Sequence, residues 1–478
     1  MSGATAPGVE RMPVPMGVIA ETGETHPPLT EQDFPDLEPE SPVVLARSRR
    51  RRALAFEGPS HNPMDLRQTG WCALFASDAD PAVKEALTPL LEWRRSQVND
   101  DPLFKVFEGP EGVRPGQSAA AWAASRGVSL VAPVSPRKGV PFYLLIVGSP
   151  VRIPFEFQAQ LDLQWAVGRL FFDAVSDYAA YARKVVEYEQ GLAPPRRKRF
   201  DVWIPKNPLD LATPLLAGSI VPEFLGQASP GAQPVGKAEG FEIASFVGDG
   251  EATKARLDAI LRGTVDGGPP ALLFSGSHGA EWSIADPARQ RERQGALVTQ
   301  EWTRGQPLAE GNCFAGADLT SDAQVHGLIM FLFACFGGGC PATDTYFRDP
   351  DGAPKALAPE PMVARLPQAL LARGALAVIA HVDRAFSYAF EDVMGTPQAQ
   401  LLRDPLSRLA AGQPAGLAAD PLNLQWSALA AQIDLLAPDV PGAPPPRAAL
   451  LANLRIARDD ARNYTVLGDP AARIRSET

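Results

Sequence analysis

His278 and Cys335 are the residues whose types and placement could do chemistry together. Each follows an apolar run of the kind that forms a strand buried on both faces. Ala271-Leu272-Leu273-Phe274-Ser275 leads into Gly276-Ser277-His278-Gly279, and Leu328 to Ala334 leads into Cys335 and then Gly337-Gly338-Gly339. In open parallel sheets, reactive groups collect just beyond the carboxyl ends of the strands. Adjacent strands would bring the imidazole and the thiol to one rim. A cysteine there is a better nucleophile at neutral pH than a serine, because part of it is already thiolate. His278 would protonate the leaving amine. Gly279 lets its N–H approach a substrate carbonyl with no Cβ in the way, and the Gly279 and Cys335 amides are the expected oxyanion hole. Taken singly, a cysteine after an apolar run is ordinarily a small buried hydrophobe. Two strand ends in the right order, each flanked by glycine, carry the dyad.

The elements that must position these groups alternate along the chain. Trp71 to Phe75 is a short strand, followed by a helix opened by Asp80 or Pro81 that carries Val83, Leu87, Leu90 and Leu91. Phe142 to Val147 and Ala166 to Leu170 are strands, and a helix with Val175, Tyr178, Ala182, Val185 and Val186 on one face follows. Pro194-Pro195-Arg196-Arg197-Lys198-Arg199 breaks the pattern and marks a domain boundary. Beyond it come a strand over Phe241 to Val247, a helix through Leu257, Ile260 and Leu261, and the two strands before His278 and Cys335. A helix from Met362 to Arg373, a strand over Ala375 to Ala380 and a final strand at Tyr464 to Pro470 complete the series. Apolar strands alternating with helices predict an α/β fold with a mostly parallel sheet flanked by helices.

The 478 residues are 45% hydrophobic and 21% charged, enough to bury a large core. A net charge of −10 argues against nucleic acid or an anionic membrane as partner, since the electrostatic term has the wrong sign. Four cysteines fit a reducing compartment rather than a disulfide scaffold. No apolar run approaches the ~18–20 residues that span a bilayer, and residues 1–28 carry no secretory signal, so a soluble cytoplasmic protein is expected. Three regions follow: an acidic, disordered tail over 1–60, a smaller α/β subdomain over 61–195 and a catalytic subdomain over 196–478. The tail ends in a basic run, Arg47 with Arg49, Arg50, Arg51 and Arg52, which reads as a solvated charge run.

Ser277-His278-Gly279 and Ala334-Cys335-Phe336-Gly337-Gly338 resemble the His-Gly and Ala-Cys-x-Gly motifs of caspase-like cysteine peptidases, with Phe333 where caspases carry Gln. The gingipain-like branch of that clan, which also holds separase, is similar over more of the chain. Its amino-terminal subdomain is matched by Leu144-Leu145-Ile146-Val147-Gly148, Ile153-Pro154, Val167-Gly168-Arg169 and the helix ending in Tyr188-Glu189, and its late Leu-Gly-Asp-Pro by Leu467 to Pro470. The resemblance implies a caspase-like fold and a cysteine endopeptidase acting on a protein or peptide, with no cofactor. It also implies an acidic residue that receives a basic side chain before the cut bond. Asp383 is the choice, with Asp286 and Asp344 as alternatives. The Arg47–Arg52 tract then gains a second meaning, as a site of self-cleavage. Gingipains are secreted, and no signal is read here.

Other signals are weak. Gly231-x4-Gly236-Lys237 has Ala238 where a phosphate loop needs a hydroxyl. Cys313, Cys335 and Cys340 have no zinc-site spacing, so no metal is assigned and Cys313 and Cys340 are read as structural. His326 sits at the wrong end of its strand, His381, near Asp383 at a strand end, reads as core or surface filler with support of the site as the alternative, and Cys72 has no visible partner. Two rivals remain: a catalytically silent caspase-like scaffold that docks partners through its acidic tail, and another Cys-His amide hydrolase.

Overall fold

A computed structural model of the chain describes residues 13–29, 33, 41–49, 56, 61–194, 196–392, 395–436 and 445–475. In chain order its strands are β1 (Gly17–Ile19), β2 (Glu24–Thr25), β3 (Trp71–Phe75), β4 (Phe104–Phe107), β5 (Tyr143–Val147), β6 (Ala166–Leu170), β7 (Arg197–Ile204), β8 (Glu242–Val247), β9 (Pro270–Gly276), β10 (Gly279–Glu281), β11 (Leu297–Val298), β12 (Cys313–Phe314), β13 (Ile329–Phe333), β14 (Gly339–Cys340), β15 (Thr343–Arg348), β16 (Pro354–Ala356), β17 (Met362–Val363), β18 (Ala377–His381) and β19 (Tyr464–Gly468).

Ten of them form one sheet in the order β4-β3-β5-β6-β19-β18-β13-β9-β7-β8. Residues 61–194 supply β3 to β6, and later residues supply the other six strands. β19 joins the two groups, antiparallel to β18 on one side and parallel to β6 on the other, with Leu467 opposite Arg169 of β6. β13 lies between β9 and β18 and is parallel to both, with Phe333 opposite Gly276. Helices such as Val175–Glu189 and Arg365–Ala372 flank the sheet, so its central strands are covered on both faces. All five residues of β13, Ile329 to Phe333, are fully buried. Each such side chain is stabilised by about 1.5–3 kcal/mol relative to exposure, so the run has one stable place, and that fixes where Cys335 emerges. The architecture is the mixed α/β, mostly parallel sheet expected.

Several expectations change. The tail over 1–60 is not without structure where it is described. Residues 17–25 form β1 and β2, inserted in a second sheet of order β12-β11-β10-β1-β2, and Pro42–Arg49 is a helix. Nor does Arg47 belong to an exposed tract. Its side chain is fully buried and Nη2 lies 2.6 Å from Asp420, a pairing with a residue far along the chain that no local pattern signals. Arg50, Arg51 and Arg52 lie outside the described residues. The basic run at the expected boundary is the start of β7, where Arg199 pairs with Asp201 at 2.5 Å. The helix expected from Met362 begins at Arg365, because Met362 and Val363 pair with β14.

Candidate active site

The ladder between β9 and β13 closes with the Ser277 N–H donating to Phe333 O at 3.1 Å. A Cβ built on Gly279 would stand 1.8 Å from the Cys335 carbonyl oxygen, so only glycine fits there. The glycine signal was legible, but its reason is contact with the cysteine's own main chain. Both amides point the same way. Gly279 N–H and Cys335 N–H donate to one oxygen, the Met16 carbonyl, at 3.0 and 3.3 Å.

Cys335 is fully buried. Its sulfur accepts from the Ala385 N–H at 3.1 Å and lies 3.5 Å from the Ala385 carbonyl. Burial pushes the thiol up to about 12, against smaller opposing effects of the Ala385 hydrogen bond and the Arg384 charge. Covered in this way the sulfur is held as a thiol. Phe336, the next residue, has φ +58, a left-handed backbone rare for a bulky side chain. The turn is held by the Phe336 N–H donating to Asp383 O at 2.8 Å.

His278 is also fully buried, with Nε2 3.0 Å from Asp210 Oδ2 and its ring 5.6 Å, edge to face, from Trp302. Its Nδ1 has no hydrogen-bond partner among the described residues. Asp210 was not singled out in the sequence. Its Oδ2 also accepts from the Thr213 N–H at 2.9 Å and the Thr213 hydroxyl at 2.7 Å. Burial pushes this carboxyl up, but His278 and the Thr213 bonds more than offset it and leave it below the ordinary carboxylate range. The preceding residue, Leu209, has φ +60. An exposed leucine in that backbone, directly before a buried aspartate, betrays the turn that aims Asp210, and sequence offers no sign of it.

The three carboxylates considered for a basic side chain have different fates. Asp286 caps the helix Pro287–Arg293. Asp344 is 2.5 Å from the Arg384 guanidinium, which also meets Glu281 at 3.1 Å. Asp383 accepts from the Thr345 hydroxyl at 3.0 Å and the Arg384 N–H at 2.8 Å, and borders a cavity of about 180 Å³ with Phe155, Pro341 and Thr345. Burial, then Asp344, pushes its carboxyl up to about 6.

Cys72, Cys313 and Cys340 are buried and unpaired as thiols. His381 lies in the core with Nε2 3.0 Å from Asp460 O, and His326 lies 2.6 Å from Lys184 O. Among the described residues no group of three or more His, Cys, Asp or Glu is arranged to hold a metal ion. No helix among them is long and apolar enough to cross a membrane.

No protein-family model matches the chain and no curated protein matches it. Solved structures do. It is similar to the Arg-specific cysteine proteinase gingipain R, at 13% identity over 87% of this chain and 81% of that one, with a TM-score of 0.45. A complex of the pro- and mature domains of Porphyromonas gingivalis RgpB matches at 11% identity over 85% and 80%, with a TM-score of 0.43. The Saccharomyces cerevisiae separase–securin complex matches at 10% identity over 69% of this chain and 16% of that one, with a TM-score of 0.30. These are the kinds of protein the sequence resembles. Likenesses so distant bring no residue roles to this chain.

Proposed function

We propose that the chain is a cysteine endopeptidase. The observation that supports this best is the convergence of the Gly279 and Cys335 amides on one carbonyl of an extended segment lying across the rim. A substrate carbonyl in that place would have its oxygen between two fixed donors and its carbon next to the nucleophile's residue. No hydrogen bond joins the Cys335 sulfur to the His278 ring among the described residues, the sulfur being held at Ala385, so in the reaction the thiol leaves Ala385, gives its proton to His278 and attacks the carbonyl carbon. The oxyanion is held by the two amides, His278 returns the proton to the leaving amine, and water hydrolyses the thioester. Each amide of such a pair is worth ~2.7–4 kcal/mol of transition-state stabilisation. Asp210 is the positioning residue. A carboxylate beside one ring nitrogen fixes the tautomer and steadies the imidazolium, as in other triads.

All three carboxylates considered for a basic side chain already have partners, and Asp383, which accepts from Thr345 and the Arg384 N–H, is the one of the three that borders a cavity. The test is hydrolysis of a positional-scanning peptide library by wild type, Cys335→Ala and Asp383→Ala. Cutting by wild type and not by Cys335→Ala supports the endopeptidase, and equal cutting by both overturns it. Selectivity for Arg or Lys that disappears in Asp383→Ala would place the basic pocket there.

A further inference from the structure

The acceptor of the two amides is part of this chain. Residues 14–19 cross the candidate site as a segment that ends in β1, with main-chain amides and carbonyls bonded on either side of one peptide bond. Before it, Met16 N–H donates to Ala385 O at 2.9 Å, Ser387 N–H to Val14 O at 3.0 Å, and Val14 N–H to the Ser387 hydroxyl at 3.0 Å. After it, Gly17, Val18 and Ile19 pair in parallel with Gly279, Ala280 and Glu281. The bond between those two stretches is Met16–Gly17, and its carbonyl oxygen is the one held by Gly279 and Cys335. Ala385, which binds the Met16 amide, also binds the Cys335 sulfur. The Met16 side chain is fully buried.

We propose that this segment is a tethered substrate and that the protein cuts itself between Met16 and Gly17, taking an unbranched apolar residue before the cut bond. The inference rests on the endopeptidase reading and names the bond and side-chain class that reading leaves open. It also moves self-processing away from Arg47, which is buried in an ion pair. The step balances without a further reactant besides water. The Cys335 sulfur bonds to the Met16 carbonyl carbon, the C–N bond to Gly17 breaks, and the Gly17 nitrogen leaves with the proton carried by His278. Water then splits the thioester, giving a Met16 carboxylate and a free thiol. The glycine belongs to the strap rather than to the site. A Cβ on Gly17 would stand 2.1 Å from the ring of His26, which folds back over it with Nε2 3.1 Å from Glu281. External substrates, lacking that imidazole, need no glycine there. Until the bond is cut or the strap lifts, the Met16 carbonyl occupies both amides.

The test follows the full chain after purification by intact mass and amino-terminal sequencing, at several protein concentrations. Wild type is expected to lose residues 1–16 and begin at Gly17, at a rate independent of concentration, while Cys335→Ala stays whole. Met16→Asp, with folding checked by its melting temperature, is expected to slow the cut tenfold or more. Three results overturn the inference: a rate that rises with concentration, unslowed cutting in Met16→Asp, or a wild-type chain uncut at this bond that still hydrolyses library peptides through Cys335. The last leaves the endopeptidase reading intact. If neither the strap nor any peptide is cut, both fall.

Discussion

Arg94, on the helix Thr88–Val98, and His278, just past β9, are both buried beside a carboxylate, and their surroundings differ. Arg94 donates to Asp469 at 2.7 Å and to both oxygens of Glu189 at 2.6 Å, while Trp71 Nε1 and the Ala471 N–H fill the other Asp469 oxygen. Around His278 the pairing stops short. Asp210 meets one ring nitrogen and the other has no partner among the described residues. A satisfied buried network fixes an arrangement, whereas an unpartnered buried polar atom calls for an explanation. Arg94 therefore reads as architecture; the Nδ1 of core residue His381 is equally unpartnered, and what sets His278 apart is its place past the end of β9, with Gly279 against the Cys335 main chain. Position separates two cysteines. Cys72 sits inside β3 with its sulfur 3.9 Å from Pro141 O, and Cys335 stands past the end of β13, where its own amide and that of Gly279 donate to the Met16 carbonyl.

Substitutions can break that contrast, and the largest effect belongs to Cys335→Ala. Peptide hydrolysis should fall on the order of 10⁴-fold or more, measured as kcat/KM, while Cys72→Ala stays near wild type. Asp210→Asn should lower kcat on the order of 10²–10⁴-fold with KM little changed, and the loss should appear in the pH profile as a displaced acid limb. Asp469→Ala is its counterpart at the Arg94 cluster. Removing one partner of a buried pair should cost roughly 3–5 kcal/mol, read by denaturant unfolding, with kcat per folded molecule unaltered. A fall in kcat larger than the loss of folded protein would erase the distinction between the two clusters.

The smallest effect is on pH dependence. Burial lowers His26 from 6.5 to about 4, so the folded chain holds it neutral. Its stabilisation is complete above pH 6.5 and lost as pH falls toward 4, because the released segment takes up the proton first. His381, lowered by burial to about 3, acts in the same direction. His26→Gln should flatten the acid fall in melting temperature without removing it, and a curve identical to wild type would contradict the placement of His26.

What the sequence discloses follows from where each signal lives. β9 and β13 are legible because strands buried on both faces must be apolar throughout, so the residues that end them stand out. The amino-terminal motifs prove structural: Arg169 donates to Gly148 O at 3.0 Å, Ile153 O at 2.7 Å and Pro154 O at 3.1 Å, which ties three separated stretches into one knot. Tyr188-Glu189 and Leu467 to Pro470 meet in the same way, at Arg94. Asp210 is invisible because a loop backbone aims it. The strap is invisible because its main chain, not its side chains, makes the pairing, so Pro13-Val14-Pro15-Met16 shows no period. Arg47 looks solvated because Asp420 lies so far along the chain.

The central claim is that the sulfur of residue 335 forms a covalent bond with the carbonyl group of a peptide. A peptidyl acyloxymethyl ketone ending in methionine, incubated with the purified chain and mapped by mass spectrometry after proteolysis, measures this directly. The account predicts a single thioether on Cys335, none on Cys72, Cys313 or Cys340, and hydrolysis lost in proportion to labelling. Full hydrolysis with Cys335 completely modified, or an adduct on another cysteine that alone abolishes it, would contradict the account.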